Sequence, residues 1–475
     1  MRPLAVMLSL ALTGSLPRTA MGSGVDDVDL IPSNVLGEAA AQKPAAADPK
    51  EPEVRRTFQG RFFVEDALTL SSAPGAVPVP YPSGLVVDWQ NRSSLDASFR
   101  WKPWTALAIT VSDRVNVFEQ NGVAFDSTQT LRNDVREGFV TWEPVSNTFF
   151  EGGRINVRNG SALGFNPTDF FKTRTLVGQA SLDPSVLRQN RLGTLLGRGQ
   201  TIWSGGSASI AFAPKVATPS PIDETNPPLL DPRFDATNAA TRVLCAVNLD
   251  MADLSPQLLG YFELHRSKLG LNLTRPVGDA VVAYAEWAGG LEANLITRAV
   301  AYGQATGTLP AGAAALPPTD TSSVVRNDLA AGFSWTIATR VTLNLEYHFH
   351  QSGFTHGNWQ QWFALGSKPG APPAIAGELW YVRGYANDQQ EPVPMHQGFV
   401  RASWPQAFVK ELELSSFALV DLLDASVITQ LSASYYLSDA WTMSAFGSAN
   451  LGEAHTERGS FPQRVSGIVQ LTRYL

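Results

Sequence analysis

The chain has a single cysteine, Cys245, in 475 residues. A lone thiol excludes an intramolecular disulfide, so the residue reads as a small apolar filler. Charged residues are also scarce, at 17% against roughly 25% in soluble globular chains. The 36 Lys and Arg are outnumbered by 43 Asp and Glu, and the net charge of −7 argues against nucleic acid as a partner. Beyond the first few residues no run reaches the roughly 18 apolar residues of a spanning helix. With a mean hydropathy of −0.06, this excludes a bundle of transmembrane helices. Histidine is rare, with six residues, and no G-x-S-x-G occurs, so a lipase or protease finds little support. What the chain has in quantity is Gly (39), Pro (32), Phe (24) and Trp (12), a composition that suits strands, turns and aromatic girdles.

The first 22 residues read as a secretory signal. Arg2 supplies the positive end, Leu4 to Leu12 a short apolar stretch, and Ala20-Met21-Gly22 the small residues of a cleavage site. No cysteine follows, which excludes a lipoprotein. Residues 23–57, centred on "AAAQKPAAADPKEPE", show no apolar period and are expected to form a flexible periplasmic leader.

From Phe58 onward the pattern changes to period two. In "ITVSDRVNVF" (109–118), Ile109, Val111, Val115 and Val117 share one side, with Asp113 the exception; Thr110, Ser112, Arg114 and Asn116 take the other. Leu343, Leu345, Tyr347 and Phe349 alternate likewise with Asn344, Glu346, His348 and His350, and Val427 and Leu431 with Gln430 and Ser432. Short connections such as "PVSN" (144–147) and "LSDA" (437–440) alternate with long ones such as 157–191, 291–327 and 351–393. A meander with short turns at one end and long loops at the other predicts an all-β, antiparallel transmembrane barrel over 58–475, with periplasmic turns and extracellular loops. The strand count is sixteen or eighteen, depending on whether 241–275 supplies one strand or three; the turn "ADLS" (252–255) favours eighteen. Trp101, Trp104, Trp142, Trp203, Trp404 and Trp441 sit near strand ends, as an interfacial belt requires. The expected location is the bacterial outer membrane. The expected partners are its lipid, the barrel assembly machinery that inserts such chains, and a periplasmic or envelope transport complex. The chain ends "IVQLTRYL", with its aromatic, Tyr474, one place before the last residue.

At "GGRINVRNGSALGFNPTDFFK" (152–172) the chain resembles a group of outer-membrane barrels distantly similar to alginate-export porins. In that group a strand with Gly-Arg leads into an Asn-Pro-x-Asp loop; here these are Gly153, Arg154, Asn166, Pro167 and Asp169. "PQLLGYFE" (256–263), "LGLNLTRPVGDAVVAYAEWAGG" (269–290) and "WTMSAFGSANLGE" agree as well. The chain departs from the group after Arg158, where Asn159-Gly160 stands in place of Trp-Gly. The resemblance implies a passive channel or exporter and leaves its substrate open; the residues themselves lead to the expectation of no enzyme, and a small-molecule or polysaccharide solute is compatible with the chain.

The residues that carry such a function are polar positions on the wet face. A strand over 148–158 would place Arg154, Asn156 and Arg158 on one side and Ile155 and Val157 on the other. Arginine on lipid costs about 2–4 kcal/mol at midplane, so the arginines are expected in the lumen, with Arg136 and Arg114 nearby. They either attract anions or pair as struts with Glu137, Glu143, Asp169 and Asp183; both roles stay open. The loop carrying Asn166, Pro167 and Asp169 either folds inward as a constriction or outward. Glu346, His348 and His350 form E-x-H-x-H, but spacing of two sets the ligands in a row, so a lumenal polar ladder is expected and no metal or cofactor. A sealed barrel serving as a surface scaffold or adhesin is the alternative to a channel, and an outer-membrane hydrolase a more distant one.

Overall fold

The computed structural model describes residues 58–72, 77–81, 87–121, 131–222, 231–264, 266–313, 322–337, 340–370 and 372–475. The signal and leader expected over 1–57 lie outside the described residues. The strands are β1 (Phe58–Ser72), β2 (Trp89–Trp104), β3 (Leu107–Gln120), β4 (Leu131–Val145), β5 (Thr148–Ile155), β6 (Thr194–Trp203), β7 (Gly206–Ala213), β8 (Arg242–Leu249) and β9 (Ser255–Glu263). They continue as β10 (Lys268–Val277), β11 (Val281–Glu292), β12 (Val324–Thr336), β13 (Thr342–His350), β14 (His396–Trp404), β15 (Leu412–Asp421), β16 (Val427–Ser438), β17 (Trp441–Leu451) and β18 (Val465–Tyr474). They form one 18-stranded antiparallel sheet in which β1 pairs with both β2 and β18. Closure leaves no unpaired edge, which is what a sheet in lipid requires. The segment 241–275 supplies three strands, so the count is eighteen.

Which face is oily decides what surrounds the barrel. In β13, Asn344, Glu346, His348 and His350 are buried, while Leu345 and Tyr347 are exposed. The same inversion recurs around the sheet: Leu68, Leu95, Val140, Leu269, Val400, Leu431 and Val469 are exposed, and Asp96, Arg114, Asn272, Gln430 and Gln470 are buried. A soluble sandwich buries the first set and exposes the second. Here the apolar set is the outer belt of a transmembrane barrel. Phe58, Trp101, Trp104, Trp142, Trp203, Trp335 and Trp441 are exposed near the end where the short turns lie, and form an interfacial girdle there.

The long connections gather at the other end. Two connections at that end are short, 264–267 and 422–426, so the strict alternation of short and long read from the sequence is broken twice. The loops carry helices α1 (Pro184–Gln189), α2 (Phe234–Thr237), α3 (Leu295–Ala305), α4 (His356–Gly366) and α5 (Pro373–Asp388). Asn294 caps α3 by accepting from the Thr297 N–H, and Thr355 with Asn358 forms a capping box on α4. Helices α3 to α5 bury a shared apolar core that includes Val79, Leu295, Phe354, Trp362, Leu379 and Trp380. Among the described residues no helix is long and apolar enough to cross a membrane.

Candidate functional site

The wet faces of β1 to β4 carry a ladder of paired charges. Arg136 bonds Asp96 at 2.6 Å, Arg114 reaches Asp96 at 3.5 Å and also pairs with Glu65, and Arg92 lies 4.0 Å from Glu65. Arg132 holds Asp134 at 3.0 Å. Gln470 of β18 donates to Glu65 at 3.1 Å, so the ladder crosses the closure seam. A one-residue bulge in β4 turns the adjacent Arg136 and Glu137 to the same side. Four arginines (Arg92, Arg114, Arg132, Arg136) thus meet three carboxylates (Glu65, Asp96, Asp134). Further round, Ser434 pairs with Ser444 at 2.9 Å and Ser448 with Ser466 at 2.6 Å on β16 to β18.

The segment after β5 enters the lumen and is buried along most of its length. Two wall carboxylates grip it. Glu286 of β11 accepts from the Ala162 N–H at 2.5 Å, the Thr168 hydroxyl at 3.1 Å and the Asn166 amide at 3.3 Å. Glu346 of β13 accepts from the Leu163 and Gly164 N–H groups at 2.6 and 2.9 Å, and from Tyr284 at 2.7 Å. Gly160 makes this approach possible: its φ is +87°, and a Cβ there would meet the Glu286 carboxylate at 2.3 Å. Farther on, Asp183 caps α1 and bonds Arg401 of β14 at 2.8 Å, and Leu182 donates to Gln430 of β16 at 2.8 Å. With anchors on β5 and on β14, nine strands apart in a ring of eighteen, the loop crosses the full width of the barrel.

Within the loop Asp169 is buried and bonds Arg191 at 3.0 Å and Arg188 at 3.4 Å. Asn166 donates to the Ala162 carbonyl, and Pro167 lines a cavity beside it. These residues hold the loop's own shape. Asn156 donates its backbone N–H to Glu137 at 3.1 Å and accepts from Arg191 at 3.3 Å.

The arginine pair placed in the lumen from the sequence requires correction. Strand β5 ends at Ile155, and its register sets Glu151, Gly153 and Ile155 on the lumenal face. Ile155 and Val157 pack there against Phe171, Leu196, Leu244 and Leu259. Arg154 is buried under the next loop. It donates to the Gly193 carbonyl at 3.0 Å and to Pro232 at 2.5 Å, with its guanidinium over Phe234. Arg158 lies beyond the strand, exposed, within electrostatic reach of Glu137. The two therefore do not share one strand face. Glu346, His348 and His350 do share the inner face, but His348 bonds Glu346 at 2.8 Å and His350 bonds Asp328 at 2.8 Å. Glu346 serves the loop, so its ladder lies under the loop and not along open water. Glu286, Asp96, Glu65, Arg401 and Gln430 were missed; strand parity marks all five as inward, but parity says nothing about which inward residue meets a distant loop.

Between the loop, β8 to β10 and the helices lies a cavity of about 280 Å³, lined in part by Lys172, Arg242, Tyr261, Lys268, Tyr302 and Glu391. The Lys172 ammonium donates to the Asn166 carbonyl at 2.7 Å, and burial pushes its pKa down to about 8. Arg174 ties the loop to the helices: it bonds Asp388 of α5 at 3.2 Å and Tyr302 of α3 at 2.8 Å. Among the described residues no group of three or more His, Cys, Asp or Glu is arranged to hold a metal.

No family model matches the chain. No curated protein matches it. Among solved structures it is similar in fold to OccK5 (OpdH) of Pseudomonas aeruginosa, with a TM-score of 0.51 and 7% identity over 88% of this chain and 98% of that one. OccK11 (OpdR) of the same organism gives 0.48 and 9%, over 88% and 96%. A triple mutant of the Rhodopseudomonas blastica porin gives 0.40 and 8%, over 88% and 100%. At these identities the likeness concerns the fold alone. A closed 18-strand barrel with an apolar belt and an aromatic girdle defines the class: a transmembrane β-barrel of the bacterial outer membrane.

Proposed function

We propose that the chain is an outer-membrane channel for a small hydrophilic solute, whose path follows the polar seam of β1 to β4 and β16 to β18. The observation that carries this reading is the crossing loop. It covers the wall from β6 to β14, touches β16 at Gln430 and the charge ladder at Arg136, which donates to Asn190 at 3.1 Å, and leaves the rest of the ladder and the serine pairs on the other side. A loop across the full width favours small solutes over the polymer that the likeness to alginate-export porins would bring. With Glu137 beside Arg136, the four arginines of the ladder face four carboxylates, so the seam sets little preference for the sign of the solute's charge. His348 and His350 are engaged by wall carboxylates, and we assign no catalysis to them.

The helical cap favours a second reading, a sealed barrel displayed as a scaffold, since α3 to α5 pack tightly at the loop end. Planar-bilayer recording separates the two. A channel gives discrete, ohmic steps that small sugars or carboxylates reduce. Inserted, heat-modifiable protein with no conductance at either polarity would leave the scaffold reading standing.

A further inference from the structure

The cavity behind the crossing loop holds charges that the fold leaves open. Its walls come from three sides: the loop at Phe170 and Lys172, the strands β8 and β9 at Arg242 and Glu263, and the helices α3 and α5 at Tyr302 and Tyr385. Phe170 stacks on Tyr261 of β9 with ring centroids 4.9 Å apart, so loop and wall meet along one edge of the cavity. Arg266, in the connection 264–267, brings it to the loop end of the barrel.

Most charges that line the cavity are engaged elsewhere. Arg191 holds Asp169 at 3.0 Å, Arg298 holds Glu391 at 2.7 Å, Lys268 holds Glu292 at 3.0 Å and Arg174 holds Asp388 at 3.2 Å. Four lining charges have neutral partners instead. The Lys172 ammonium donates to the Asn166 carbonyl at 2.7 Å and lies over the Phe165 ring. Arg242 donates to the Thr237 carbonyl and lies over Phe171. Asp235 accepts from the Ser220 hydroxyl, and Glu263 from the Tyr261 hydroxyl. Arg233 and Arg266 act on Asp235 and Glu263 from a distance, without closing a pair. Neutral partners leave much capacity unused, since an ammonium carries three donors and a carboxylate about four acceptor sites. Lys172, Asp235 and Glu263 are each partly exposed, so a solute in the cavity can touch them. The Lys172 pKa, lowered by burial to about 8, fits an ammonium with no carboxylate in contact.

We propose that this cavity binds a free α-amino acid with an apolar side chain. Such a molecule brings one charge of each sign. Its carboxylate pairs with Lys172 and its ammonium with Glu263 and Asp235, which closes at both ends what the fold leaves open. A lone anion would leave the two carboxylates unpaired, and a lone cation would leave Lys172 and Arg242 so. The side chain lies against Phe170, Tyr302 and Ala239, which give the cavity its apolar wall. At about 280 Å³ the cavity falls just below the roughly 300–1,000 Å³ of sites for drug-sized ligands, which suits a molecule of amino-acid size. It lies on the loop side of the barrel, away from β1 to β4, so binding there does not depend on conduction along the seam.

The test is calorimetric titration of the purified full-length barrel in a nonionic detergent. L-phenylalanine should give saturable heat at one site per chain. Phenethylamine, which lacks the carboxylate, and 3-phenylpropionate, which lacks the ammonium, should each bind at least tenfold more weakly. Lys172→Met should weaken L-phenylalanine at least tenfold and change phenethylamine little. Asp235→Asn with Glu263→Gln should weaken L-phenylalanine as much and change 3-phenylpropionate little. A general loss of structure would not give this crossed pattern. If either variant fails to fold, the three ligands on the native chain still decide. Absence of saturable heat overturns the proposal. So does binding of phenethylamine or 3-phenylpropionate as tight as that of L-phenylalanine, which would make the occupant a plain cation or a plain anion.

Discussion

The two halves of the inner wall obey the same alternation and end differently. From β1 to β4 the inward side chains satisfy one another: Arg136 with Asp96, Arg132 with Asp134, Gln470 with Glu65. From β6 to β14 they are turned over to the loop, either as apolar surface (Leu196, Leu244, Leu259) or as carboxylates that accept its backbone N–H groups (Glu286, Glu346). The difference shows that inward polarity alone does not make a pore lining. An inward charge can face the lumen only where no segment of the chain is folded over it. Glu286 and Glu346 point inward as surely as Glu65 does, yet each accepts backbone N–H groups from one segment of the crossing loop.

The strongest way to break this comparison is to remove the grip. Glu286→Ala with Glu346→Ala strips three loop N–H groups of their acceptors, and a hydrogen bond to a charged group contributes about 1.5–3 kcal/mol. The loop should detach from β11 and β13. Single-channel conductance should rise about twofold or more, with added current noise, and 157–176 should become cleavable by protease in detergent. Gly160→Ala should act in the same direction, since its Cβ would enter the Glu286 carboxylate and its φ is left-handed. Unchanged conductance with an uncut loop would mean that Glu286 and Glu346 do not hold it, and the two halves would no longer differ in kind.

Much of the wall was legible in the sequence, because a period of two under a lipid constraint leaves one solution. Val111, Leu345, Leu431 and their inward neighbours fell on the expected faces, as did Arg114, Arg136 and the Glu346–His350 row. The barrel follows from the same signal; the sequence left sixteen or eighteen strands open, with the "ADLS" turn favouring the eighteen that the sheet has. The failure came at β5. Parity there was counted from the arginines, on the premise that charge faces water. The register is instead set by Glu151 against Arg198 and Thr141, with Gly153, at φ +135°, just before Arg154. Two carbonyl groups, of Gly193 and Pro232, accept from Arg154, so the premise failed where a loop folds back over a strand end. The crossing of the lumen was illegible for a related reason. Its anchors, Asp183–Arg401 and Leu182–Gln430, join residues more than two hundred positions apart, and no local pattern encodes that pairing.

A smaller effect sharpens the same contrast through selectivity. Arg114→Gln with Arg136→Gln leaves Glu65 and Asp96 on the seam with fewer cations and should shift the reversal potential in a salt gradient severalfold toward cations. The shift should be clearest at low ionic strength, where screening is weakest. Arg154→Gln with Arg158→Gln should change selectivity little, because Arg154 is buried under the 231–234 segment and Arg158 lies off the seam. Equal shifts from both pairs would move the path to the loop side of the barrel.

The smallest expected effect concerns the joint between loop and cap. Arg174 bonds Asp388 at 3.2 Å, and the backbone N–H of Arg174 donates to the Asp388 carbonyl at 2.8 Å. Burial pushes the Asp388 carboxyl up to about 6, against the opposing pull of Arg174 and Arg233. A carboxyl whose folded pKa lies above its unfolded value, about 3.9, holds its proton more tightly when folded. Its contribution to stability therefore grows as the pH falls through 6 and is complete below about 3.9. Between pH 7.5 and pH 5 the native chain should gain about 1 kcal/mol relative to Asp388→Asn. Lys172, lowered to about 8, is present in both chains, so its small opposing slope near pH 7.5 cancels in the comparison. Trp359, Trp362 and Trp380 lie in the cap core, so their fluorescence reports cap unfolding directly. If the native chain instead loses stability relative to Asp388→Asn on acidification, the ion pair outweighs the burial of its carboxylate. The filled half would then be held by charge as the seam is, and the division between the two halves would rest on the loop's backbone contacts alone.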